Sequence, residues 1–223
     1  MRQHARTAVL WIVGSGAACA LYVCWPRNAH LREFDPIRVA QLETGMWRSY
    51  YEHHYAALAR DLYRLSRDEY GFSPCDSIAI AWDAARAAQL FQGTRSRGEA
   101  QRALPSLMKY YQALRAHGGE TFDIRNAARL ELEWWQQRRE HVPPSTYGLV
   151  IAQNDTTIFH VDNADVRRAG LLRAAAMRYR DEHGSAEMRE ADWNYISAEL
   201  GQSYGALLVG VSVAGRSHSG DSK

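Results

Sequence analysis

Two acidic residues stand where acids are costly. On a helical wheel of about 100° per residue, Glu43 falls inside the arc of Leu42, Met46, Trp47 and Tyr50, and Glu131 inside that of Leu130, Trp134 and Trp135. A carboxylate among such neighbours must be paired, protonated, hydrogen-bonded or bound to a metal. Trp47 and Trp135 follow the two glutamates by one helical turn, so their indole N–H groups are in reach of a carboxylate. Arg138 points inward too, and Arg86 and Arg173 are further cations able to neutralise a buried acid. Helix order alone does not place Arg86 opposite Glu43 within the first hairpin, because Arg86 lies nearer the turn than Glu43, so contact would have to come from the other half. The candidate central network is Glu43, Trp47, Tyr50, Glu131, Trp135 and Arg138.

A second chemistry uses the same acids. Inward glutamates from equivalent helices resemble, in fold logic only, the ferritin-like bundles, in which such residues bridge two metal ions. That resemblance implies a di-metal centre on Glu43 and Glu131. The departure is that those bundles add Glu-x-x-His on two further helices, whereas 78–91 and 166–179 contain neither Glu nor His. His54 shares the side of Glu43 but lies about 16 Å further along the axis. The Glu-His pairs at 52–53 and 140–141 point away, towards solvent or another helix.

These residues are related by an internal repeat. An ungapped shift of 88 places Phe34, Asp35, Ala40, Leu42, Glu43, Trp47, Glu52 and His53 on Phe122, Asp123, Ala128, Leu130, Glu131, Trp135, Glu140 and His141. Further on, Leu107, Tyr111 and Leu114 resemble Leu200, Tyr204 and Leu207. The reading is two copies of a three-helix unit, about 34–117 and 122–212, packed about a pseudo-twofold axis. The two glutamates then converge at that axis.

The elements follow from periodicity and punctuation. Asp35-Pro36 opens a helix, and apolar spacing carries it as one long amphipathic helix to Gly71. A second runs from Ser73-Pro74 to Gly93, and a third from about Gly98 to Gly118. Residues 145–161 alternate enough to suggest a hairpin, but the repeat register favours helix, broken at Pro143 and Pro144. The expected fold is all-α, a bundle of about six helices in one domain over 31–214, with a disordered polar tail at 215–223.

Ahead of it, Thr7 to Trp25 is nineteen residues without a charge, flanked by Arg2 and Arg6 and by Pro26 and Arg27. That length spans a bilayer. Residues 1–27 therefore read as one N-terminal transmembrane anchor, with a signal peptide cleaved after Ala18, Cys19 and Ala20 as the alternative. The expected location is the cell membrane with the domain outside the cytoplasm, or a secreted or periplasmic domain after cleavage. Cys19 and Cys24 sit in this segment, which leaves Cys75 alone in the domain, without an intradomain disulfide.

The 27 basic and 25 acidic residues are scattered, which argues against a nucleic-acid partner. Arginine supplies nearly all the basic charge, a trait of GC-rich, bacterial coding. No phosphate loop or nucleophile setting is present. The function expected is a membrane-anchored, non-catalytic binding or assembly module. The alternative is a carboxylate-bridged, metal-dependent oxidoreductase.

Overall fold

The computed structural model describes residues 23–25 and 27–217 and is all-helical, with no strand among the described residues. Its principal helices are α1 (Pro36–Tyr51), α2 (Tyr55–Arg64), α3 (Pro74–Gln92), α4 (Leu104–His117), α5 (Ile124–Arg139), α6 (Pro144–Phe159), α7 (Ala164–Glu187) and α8 (Glu190–Ser217). Each packs on its successor, and α8 returns to pack on α1. The eight helices thus close a ring, with short connections between consecutive members, as in up-and-down bundles.

Local chemistry sets the boundaries. Asp35 accepts from the backbone N–H groups of Ile37 and Arg38, and Asp123 from those of Arg125 and Asn126, so α1 and α5 open on the same cap. Ser73 caps α3 through the Asp76 N–H and donates its hydroxyl to the Asp76 carboxylate at 2.6 Å. Gly93 closes α3. Residues 144–159 form α6, so the hairpin alternative for that stretch fails.

The single long helix expected from Pro36 to Gly71 is instead α1 and α2, and the principal helices among the described residues number eight rather than about six. The break is a Schellman turn without glycine: the His54 N–H reaches the Ser49 carbonyl at 2.8 Å and the His53 N–H reaches Tyr50 at 3.2 Å. His53 takes the left-handed conformation this requires, with φ 59°. Residues His141 (φ 57°) and Val142 end α5 in the same way, bonding the carbonyls of Arg138 and Gln137.

The core is distributed around the ring. Phe72, Ile80, Leu107, Phe122 and Leu132 form its largest part, joined by Ala29 and Leu31 from the segment before α1. Helices α6 and α7 cross at Gly148 and Gly170, where a Cβ on Gly170 would fall 2.7 Å from the Ala152 backbone nitrogen. Only glycine permits that approach.

Cys75 is not alone. The chain brings Cys24 onto the first turn of α3 in a disulfide with Cys75, Cα–Cα 5.1 Å. The assignment of Cys24 to the hydrophobic segment hid this pairing. Apart from residues 23–25, the run from Thr7 to Trp25 lies outside the described residues, as does the tail beyond Ser217. Among the described residues no helix is long and apolar enough to cross a membrane.

Candidate functional site

Helices α1 and α5 lie half a ring apart, and each aims its glutamate inward. Glu43 is 2 % exposed. Its Oε1 receives the Nε and Nη2 groups of Arg173 at 2.9 and 2.5 Å and the Trp47 indole N–H at 3.1 Å. Its Oε2 accepts from the Tyr204 hydroxyl. The countercharge thus comes from α7, in the other half of the chain. Arg86, the other cation considered, is exposed on α3 and bonds only Gln89.

Glu131 meets no cation at hydrogen-bonding distance. Four neutral donors hold it: Trp135 on Oε1 at 3.0 Å, and Tyr111, Trp134 and the Asn154 amide on Oε2 at 3.0, 3.1 and 3.0 Å. Asn154 also donates to the Tyr111 oxygen at 2.7 Å. Arg173 links the two sites, with its guanidinium carbon 5.6 Å from the centroid of the Trp134 ring.

Two expected members stand elsewhere. The Tyr50 ring packs with Met46 and Leu58 and edge-on to Tyr51, and its backbone carbonyl accepts from the Gln92 amide at 3.0 Å as well as from the His53 N–H. Arg138 pairs with Asp181 at 2.8 and 2.7 Å and with the Tyr51 hydroxyl, 5.9 Å from the Trp47 ring. It joins α5 to α7 and α1 but serves neither glutamate. Glu52, His53, Glu140 and His141 face outward, Glu140 bonding Arg97.

A third acid, not singled out from sequence, completes the interior. Asp155 on α6 has no hydrogen bond or ion pair among the described residues. Burial raises its carboxyl to about 7, against the pull of Arg173, while Glu131 and Glu43 push it further up. Desolvation is likewise the main cause that lifts the Tyr70, Tyr110, Tyr111 and Tyr204 hydroxyls. For Arg173, burial pulls down, but Glu43, Tyr204 and Glu131 more than compensate and hold the guanidinium charged.

Asp155, Arg173, Tyr70, Tyr110, Tyr204 and Glu131 nevertheless all keep accessible surface; the Arg173 side chain is 24 % exposed. Asn154, 5 % exposed, also leaves its Oδ1 without a donor. The Asp155 carboxylate and the Asn154 Oδ1 are thus acceptors without a donor among the described residues, near the tyrosine and tryptophan side chains that hold Glu131.

The sequence signal for Tyr111 and Tyr204 was their match across the repeat, and Arg173 was legible as a possible countercharge. Asp155 and Asn154 carried no signal, because they sit in the stretch of ambiguous periodicity.

The donor set does not fit a bridged di-metal centre. Among the described residues no three His, Cys, Asp or Glu side chains gather to hold an ion. The Glu43 oxygens are engaged by Arg173, Trp47 and Tyr204, and those of Glu131 by four N–H and O–H donors. Comparison with known protein families, curated proteins and solved structures gives no match.

Proposed function

We propose that this protein is a membrane-anchored binding module, its domain outside the cytoplasm, which takes a small organic cation into the interior between two duplicated halves, beside Asp155. The observation that carries the reading is a charge imbalance in the interior: Glu43, Glu131 and Asp155, the last without a hydrogen bond or ion pair among the described residues, share the field of one guanidinium, Arg173. The free Asn154 Oδ1 supplies a further acceptor. An ammonium group satisfies both acceptors and gains cation–π attraction from Tyr70, Tyr110 and the paired indoles. The chemistry is recognition: nothing beside Asp155 is arranged as a nucleophile beside a base.

Duplication is supported by a reciprocal exchange. Tyr111, in the last helix of the first half, bonds Glu131 at the start of the second, and Tyr204, in the last helix of the second, bonds Glu43 at the start of the first. The equivalent caps at Asp35 and Asp123 and the equivalent left-handed histidines agree with it. Each half is then a four-helix unit. An extracytoplasmic domain is supported by the Cys24–Cys75 disulfide, because such bonds persist in oxidising compartments. The anchor itself rests on the composition of Thr7 to Trp25.

The test is a titration of the full chain in detergent with propylammonium and methylammonium, with acetate as the anionic control. The melting temperature and tryptophan emission should shift with the cations and not with acetate, and the shift should vanish in Asp155→Asn. No response to either cation, or an equal response in Asp155→Asn, sinks the proposal.

A further inference from the structure

Helix α3 turns one face into the ring through Ser77, Ile80, Ala81, Ala85 and Phe91. Its opposite stripe runs through residues 78, 79, 82, 86 and 89, all exposed. The half nearer the helix start is apolar, and Arg86 and Gln89 make it polar only two turns on. Ile78 is 59 % and Trp82 69 % exposed, and Trp25, beside the disulfide, is 66 % exposed. A lone exposed apolar residue needs no explanation, but two indoles and an isoleucine at one end of one helix do.

The chain itself says what lies next to them. The uncharged run from Thr7 enters the described structure at Val23 and is fastened at Cys24 to Cys75, Cα–Cα 5.1 Å. With a rise of about 1.5 Å per residue, Ile78 and Trp82 lie only about 4.5 and 10 Å along the axis from Cys75. Whatever depth the end of that run occupies, the apolar stripe is within two helical turns of it. We infer that the face of α3 bearing Ile78 and Trp82, together with Trp25, rests in the headgroup region of the lipid bilayer beside the point where the N-terminal segment leaves it.

The chemistry suits that place. Indoles concentrate at membrane–water interfaces, where the ring is half-solvated and its N–H can still be bonded. Arg86 at the polar end of the stripe can extend its charge to phosphate while its stem stays near apolar surface. A second copy of the chain is a poorer occupant. Two indoles and one isoleucine cover at most about 600 Å², below the roughly 800 Å² per partner of a stable dimer.

This inference rests on the segment from Thr7 acting as an anchor, and the test separates the two. The full chain is reconstituted in phosphatidylcholine vesicles brominated either near the headgroup or deep in the acyl chains. Flotation with the vesicles, with deep bromines quenching Trp11, reports the anchor. Shallow bromines should quench a second component, and Trp82→Phe should remove roughly half of it, Trp25 supplying the rest. A protein that floats, keeps its deep quenching and shows no change in shallow quenching on Trp82→Phe overturns the docking of α3 and leaves the anchor standing. Failure to float overturns both. Trp82 that stays unquenched by shallow bromines in vesicle-bound protein running as a dimer at every dilution would mean that a second copy covers the patch, and would also overturn the proposal.

Discussion

Glu43 and Glu131 sit at matching positions of helices that open on the same cap and end in the same turn, yet the two carboxylates are held by opposite means. Glu43 is gripped by a cation, with Arg173 on one oxygen and Tyr204 on the other. Glu131 is held by two indoles, a hydroxyl and an amide, all neutral. Arg86, the other cation considered for a buried acid, is exposed and serves neither glutamate. An ion pair cancels charge and locks two helices together, whereas neutral donors hold a charge in place without cancelling it. One side of the interior thus works as a clasp. The other keeps its negative potential, and Asp155 stands within that field.

The largest test of this contrast is to break the clasp. Arg173→Met should destabilise the domain by about 3–5 kcal/mol in chemical denaturation, because Glu43 is left buried without its countercharge. Adding Glu43→Gln should recover much of that loss. A double variant as unstable as the sum of the two singles would show that the pair does not act as one unit.

Asp155→Asn should act in the other direction. The carboxyl is raised from its ordinary value to about 7, so the folded state holds a proton that the unfolded chain has already released. Its stabilising contribution is therefore complete below pH about 4 and is lost as pH rises through about 7. At pH 8 the variant should be more stable than the parent by about 2 kcal/mol, the full linkage of roughly 4 being discounted for the surface Asp155 keeps. The gain should shrink towards pH 5. A pH-independent difference would remove Asp155 from the shared field.

The smallest effect belongs to Glu131→Gln. With its amide oxygen in the Oε2 position the glutamine still accepts from Tyr111, Trp134 and Asn154, and only the Trp135 indole is left facing the new NH2, so the cost should be about 1–2 kcal/mol. A loss as large as that of Arg173→Met would mean that the two acids are held alike after all, and the comparison would fail.

Much of this was legible in the chain, for local reasons. Asp35 and Asp123 announce helix starts because a short acceptor side chain can satisfy the first free amides, and both do so. The inward faces of Glu43 and Glu131 follow from the helical period, and the bonds from Trp47 and Trp135 from the one-turn spacing. The break after α1 was missed because histidine in place of glycine is an uncommon left-handed residue. Its repetition at 53 and 141 was the available sign, and it marks where a helix stops.

What the sequence by itself determined is therefore what depends on neighbours along one helix: all-α content, caps, and which residues face inward. Tertiary structure decided that Arg173 serves Glu43 while Arg86 stays outside, that Tyr111 on α4 reaches Glu131 on α5 and Tyr204 on α8 reaches Glu43 on α1, and that Cys24 reaches Cys75. Each of these joins residues on different helices or distant stretches of chain. Helical period sets the direction of a side chain, and only closure of the ring sets what it meets.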